Sequence, residues 1–171
     1  KKDEQVWKIF AEKENLSDEQ LYQFQQYKNL LVHHNQQYNL TALTETLSIV
    51  RHHFSDSLII RKWYDMDGVT GLVDVGTGAG FPALPLKILF PHLPMVLIEP
   101  TKKRQRFLLD VIRVLGMEDI EVYTNDWRTF IRTTEGNLNL FVSRAALPVA
   151  ELARMFKPSS AYNTGHLVYW A

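Results

Sequence analysis

The feature that most restricts what this chain can become is the run Asp74-Val75-Gly76-Thr77-Gly78-Ala79-Gly80-Phe81-Pro82. It follows a short apolar segment, 71–75, and opens the stretch 82–90, where a proline suits the first turn of a helix. Glycines at alternate positions let the backbone turn sharply and let a bound molecule approach where a Cβ would stand. A loop of this kind directly after a buried strand calls for an open α/β sheet, which binds ligands outside the carboxyl ends of its strands. Dinucleotide-binding loops carry a third glycine where this chain has Phe81. No Lys-Ser/Thr pair follows, which excludes a nucleoside-triphosphate P-loop.

The residues after Gly68 extend the same grammar. Segments 95–99, 120–123, 138–142 and 166–170 read as further strands, and 102–115 and 148–156 as helices, the first of these stopped by Gly116. Alternating strands and helices predict a parallel, doubly wound sheet. Before Asp67 the pattern is helical throughout. Ser17 offers a helix cap followed by acidic residues, and Leu21, Phe24, Tyr27, Leu30, Leu31 and Tyr38 recur at steps suited to one long helix. Asn39-Leu40-Thr41 interrupts it. A further helix is expected over 46–63, with Leu47, Val50, Phe54, Leu58 and Ile59 on its buried face. The expected division is a helical extension, 1–66, and a sheet domain, 67–171. The chain ends at Ala171 at the fifth strand, so the sheet is expected to lack C-terminal strands.

With an acidic residue two positions before the first glycine, the loop has the G-x-G-x-G pattern of S-adenosylmethionine (SAM) methyltransferases. Asp74 is expected to order the loop through backbone N–H groups or to meet the methionine ammonium. Glu99 ends the second strand, where nucleotide binders place a carboxylate for the ribose hydroxyls. Phe81 and Trp127 could flank an adenine, although a Trp at a helix start also suits the core. Arg144, at the end of the fourth strand, faces the cleft, either to contact a ligand or to pair with Glu99, Asp74 or a neighbour. Lys102, Lys103, Arg104 and Arg106 crowd a helix start, where cations oppose the helix dipole, which points to phosphate contacts. His53 and Asp56 lie one helical turn apart and are expected to bond to each other and tie the helices to the sheet domain. They do not make up a metal site.

Taken in order, Asn39-Leu40-Thr41, His53-Phe54-Ser55-Asp56-Ser57, the Asp74–Pro82 loop, Lys103-Arg104-x-x-Phe107-Leu108 and Ser143-Arg144-Ala145 resemble the GidB/RsmG family over about 21–157. The resemblance implies a Rossmann-like class I SAM-dependent methyltransferase fold and transfer of a methyl group to N7 of a guanine in bacterial 16S ribosomal RNA. It places cofactor contacts on Gly76, Phe81, Trp127, Arg128 and Arg144, with Asp74, Gly78, Gly80 and Glu99 completing the site. Lys102, Lys103, Arg104 and Arg144 are the expected substrate contacts. Where the family carries Arg-x-Glu, this chain has Asp126-Trp127-Arg128. N7 attack needs positioning rather than a base, so no catalytic residue is assigned. The alternatives are a SAM methyltransferase with another substrate and a non-catalytic ribosome-binding factor.

The charges of the 171 residues balance, 19 basic against 19 acidic. Bulk electrostatics therefore do not favour naked RNA, and the expected partner is ribosomal RNA within a ribosomal particle or assembly intermediate, bound by a monomer. There is no cysteine, which removes disulfides, thiolate metal sites and Cys nucleophiles. With no apolar run of membrane-spanning length, the expected location is the cytoplasm.

Overall fold

The structure is a computed structural model that describes residues 1–144 and 146–170. Five strands, β1 (Leu72–Val75), β2 (Met95–Ile98), β3 (Ile120–Tyr123), β4 (Leu140–Arg144) and β5 (His166–Trp170), form a single sheet in the order β3-β2-β1-β4-β5. All neighbours pair in parallel. The chain leaves β1 toward β2 on one side and returns to β4 on the other, so the order reverses at β1. Open sheets bind ligands at such a reversal.

Helices cover both faces. On the first, Leu72, Met95, Leu97, Leu140 and Val142 pack beneath α5 (Ala83–Leu89) and α6 (Lys102–Val114). On the second, the alternate residues Val73, Val75, Val96, Ile98 and Phe141 meet α7 (Trp127–Thr133), α8 (Val149–Leu152) and the 3-10 turn Ala153–Phe156. The alternation follows from the two-residue period of a strand, and burial of both faces explains why the strands read as near-continuous apolar runs.

The N-terminal helices α1 (Lys2–Glu14) and α2 (Asp18–Tyr38) add a layer to the first face. Ser17 and Gln20 form a reciprocal capping box at the start of α2, which ends at Asn39 in the left-handed conformation (φ 50°). Phe10, Phe24, Tyr27 and Leu31 share one continuous core with Leu84, Leu97 and Phe107. Residues on either side of the 66/67 boundary thus build a common interior.

The helix expected over 46–63 is composite: α3 (Thr46–Ile49), a π-helical turn (Val50–Ser55), α4 (Asp56–Leu58) and a 3-10 turn (Ile59–Lys62). Its buried face differs from the expectation in a regular way. Val50, Phe54 and Leu58 are buried, whereas Leu47 is 46% and Ile59 43% exposed, and Ile49 and Ile60 take the interior positions. A single 3.6-residue period cannot describe a segment that changes its hydrogen-bond step three times.

Candidate active site

The glycine loop bends away from β1 with Gly76, Gly78 and Gly80 all at positive φ (70°, 62° and 96°). The three do different jobs. A Cβ on Gly76 would lie 2.5 Å from the Ala146 methyl, and one on Gly80 would lie 2.3 Å from Leu84 Cδ1 and 2.7 Å from the Tyr27 hydroxyl. Gly78 faces open space. Two glycines therefore let the loop pack, and the third leaves room beside it. The N–H groups of Gly76 and Thr77 both donate to the Ile98 carbonyl at the end of β2, and the buried Tyr27 hydroxyl donates to the Ala79 carbonyl at 2.5 Å. Burial pushes the Tyr27 hydroxyl pKa well above its ordinary value.

Asp74 is fully buried beneath the loop. Its Oδ2 accepts from the Thr77 hydroxyl at 2.8 Å and from the Ala83 N–H at the start of α5 at 3.0 Å. Oδ1 has no hydrogen-bond partner among the described residues, and desolvation raises the carboxyl pKa to about 7. The expected loop-ordering contact is present, through a hydroxyl and one backbone N–H. Asp74 does not line the cleft.

Glu99, 2% exposed, follows β2. One carboxylate oxygen accepts the Gly78 N–H at 3.0 Å and the other the Thr101 N–H at 2.9 Å. The Arg104 guanidinium stands 3.8 Å away. Each oxygen has a second acceptor site, and the residue lines the cleft.

The opposite wall is made by long-range contacts. Arg144 Nη1 donates to the His52 carbonyl (3.2 Å) and to Asp56 Oδ2 (3.0 Å), and Nη2 donates to His53 Nδ1 (3.2 Å). Arginine only donates, so Nδ1 is an acceptor and the His53 proton sits on Nε2, where it is given to Thr41 Oγ1 at 2.7 Å. Burial, and then the Arg144 charge, lower the His53 pKa to about 4. The Trp170 indole on β5 also donates to Asp56 Oδ2, at 3.2 Å. His53 and Asp56 do tie the helices to the sheet domain, but each through Arg144 rather than through a bond to the other. Of its expected partners, Arg144 takes a neighbour, Asp56, and not Glu99 or Asp74.

Between these walls lies a cleft of about 590 Å³. It gathers Gly76, Gly78, Phe81, Glu99, Arg104, Trp127, Arg128 and Arg144 from the expected site residues, but not Asp74, Gly80, Lys102 or Lys103. Leu40, His53, Thr101, Asp126 and Leu147 line it as well. The expected aromatic sandwich needs correction at Phe81. That ring is 5% exposed and stacks on His53 (4.4 Å) and Tyr27 (5.4 Å), leaving almost no surface for an adenine. Trp127 is 5% exposed within the second core, with the Arg128 guanidinium 4.9 Å over its ring and Arg128 paired to Glu151. Asp126 caps α7 by accepting the Thr129 N–H. Neither Tyr27 nor Trp170 carried a sequence signal beyond apolar periodicity.

A parallel sheet in this order, with a glycine loop after β1 and a carboxylate after β2, is the Rossmann-like fold of class I methyltransferases. A crystal structure of a mutant of MtNAS in complex with S-adenosylmethionine superposes with TM-score 0.57 at 18% identity, over 86% of this chain and 58% of that one. The family model described as rRNA small subunit methyltransferase G matches residues 20–170, and the chain belongs to that family. Relatives named ribosomal RNA small subunit methyltransferase G are 38% identical over 84% of the chain in Geobacillus thermodenitrificans and 36% over 91% in Listeria monocytogenes. A third, from Geobacillus kaustophilus, is 44% identical over 68% of the chain. The chain spans 61%, 66% and 49% of the length of these three relatives.

Proposed function

We propose that the protein is a SAM-dependent methyltransferase that acts on N7 of a guanine in 16S ribosomal RNA, as a cytoplasmic monomer on a ribosomal particle. The observation that carries this reading is Glu99. A nearly buried carboxylate faces a cleft of about 590 Å³ and fastens the glycine loop at the one glycine, Gly78, with open space beside it. The volume suits a nucleoside-sized ligand, and the free acceptor sites of Glu99 suit a ribose diol.

When bound, SAM supplies an electrophilic methyl group, which guanine N7 accepts with its own lone pair. The protein's task is placement. Glu99 and the loop hold the ligand, and the loop is itself held by Asp74, Tyr27 and Ile98. Arg144 keeps two of its five N–H donors after the three bonds to the helices, and these serve the ligand or the target nucleotide. Methylated guanine is cationic, and Asp56 at 3.0 Å offsets the Arg144 charge that would oppose it. His53 is neutral and adds no charge of its own. Lys102, Lys103 and Arg104, all exposed at the start of α6, meet phosphates.

The test is methyl transfer from labelled SAM to small ribosomal subunits taken from cells that lack the gene. The expected product is N7-methylguanine in the 16S RNA, with no essential base in the pH–rate profile of the chemical step. Unchanged N7-methylguanine between cells with and without the gene would overturn the assignment.

A further inference from the structure

A second basic surface lies beside the cleft, on the other helical layer. We infer that the groove between α7 and the 3-10 turn Ala153–Phe156 is a track for the phosphodiester backbone of the substrate RNA. It has a volume of about 630 Å³ and is lined by Arg128, Arg132, Arg154, Lys157, Ser159 and Ser160, together with Trp127 and Ile131.

Local geometry brings the four cations together in two pairs. Arg128 and Arg132 are four apart on α7, which puts them on one helical face, and the Arg132 Nε donates to the Arg128 carbonyl at 3.2 Å. Arg154 sits in the 3-10 turn and Lys157 caps its C-terminal end, with the Lys157 N–H donating to the Arg154 carbonyl at 3.5 Å. Like charges so placed repel, and among the described residues only Arg128 has an acidic partner, Glu151, at 2.8 Å. Arg154 and Lys157 make no ion pair among the described residues. A groove lined by four cations and two serine residues is complementary to a chain of phosphates, since such contacts release counterions.

Its position gives the occupant. Trp127 and Arg128 line both this groove and the proposed methyl-transfer cleft, so an RNA whose guanine enters the cleft can carry its flanking backbone into the groove without a break. The Lys102–Arg106 cluster lies on α6 at the other helical layer, so the two basic regions would grip the RNA on either side of its target base. This inference rests on the ribosomal RNA reading of the cleft.

The experiment measures affinity for small ribosomal subunits lacking the methyl group, between about 50 and 200 mM salt at fixed magnesium, for the protein and for an Arg154→Gln, Lys157→Gln double variant. Each phosphate contact contributes roughly 0.7 to 0.9 to the slope of log K against log salt. The double variant is expected to lose roughly 1.4 to 1.8 from that slope, with SAM affinity unchanged, while the charge-keeping variant Arg154→Lys, Lys157→Arg retains the slope. An unchanged slope in the Gln variant, with the parent protein binding and methylating the particles, would overturn the groove and leave the cleft reading intact. A parent protein that neither binds nor methylates them would overturn both.

Discussion

The two walls of the cleft are built on different principles. The wall at β1 and β2 is local: a glycine loop, the carboxylate that ends the next strand, and bonds mostly to backbone atoms, as from Gly78 and Thr101 to Glu99 and from Gly76 and Thr77 to Ile98. The wall at β4 is a junction of side chains from distant parts of the chain, with Arg144 binding His52, His53 and Asp56, and Trp170 joining at Asp56. A wall made of backbone presents a fixed surface to a ligand. A wall made of charged side chains transmits the position of the N-terminal helices to the site. On the proposed function, the first wall holds the cofactor and the second places the substrate relative to it.

Substitutions can break this distinction, beginning with the most damaging. Gly80→Ala combines a strained φ with contacts of 2.3 and 2.7 Å to Leu84 and Tyr27, and is expected to cost about 3 kcal/mol or more in urea denaturation. Gly78→Ala meets no atom within 4 Å, so it is expected to cost only the positive-φ strain, about 1–2 kcal/mol. Arg144→Ala leaves Asp56 and His53 without their shared donor, and should destabilise by about 1–3 kcal/mol and slow methyl transfer about tenfold or more. Arg144→Lys should not rescue it, because one ammonium cannot reproduce the fork. If the Lys variant is fully active, the junction is not a positioning device.

The smallest expected net effect is in the pH dependence of the parent protein's stability, because the two walls carry opposite signs. Asp74 ionises near 3.8 when unfolded but near 7 in place, so its contribution is full below the lower value and is lost as pH rises through 7. His53 protonates near 6.5 when unfolded but only near 4 in place, so its contribution is present above 6.5 and is lost as pH falls through 4. Between about 4 and 6.5 the two slopes oppose each other. Asp74→Asn is expected to gain stability relative to the parent as pH rises across 4 to 7, measured by thermal or urea unfolding. A difference that does not change with pH would show that the carboxyl is ionised where it lies.

The same contrast explains what was legible in the sequence. The glycine loop, Glu99 and the strand–helix alternation are written in contiguous residues, and the structure follows them to within a residue or two at most boundaries. The β4 wall is not contiguous, and only its members His53, Asp56 and Arg144 stood out, without their true pairing. Trp170 reaches Asp56 across 114 positions, a contact that no local pattern encodes. Phe81 was legible as a cleft residue but not as a ring already stacked on His53 and Tyr27, because the π-helical turn that carries His53 there has no signature in a 3.6-residue reading. The 66/67 boundary was visible as a change of pattern, whereas the shared core across it depends on which faces meet.

Calorimetric SAM affinity and single-turnover methyl transfer on Glu99→Gln and Asp56→Asn separate the roles of the two walls most directly. Glu99→Gln sets an amide N–H against a backbone N–H and removes an acceptor, and is expected to weaken SAM binding about tenfold or more. Asp56→Asn is expected to keep SAM affinity within about threefold while slowing transfer to the ribosomal particle about tenfold. Glu99→Gln binding SAM as tightly as the parent protein would contradict the account at its centre.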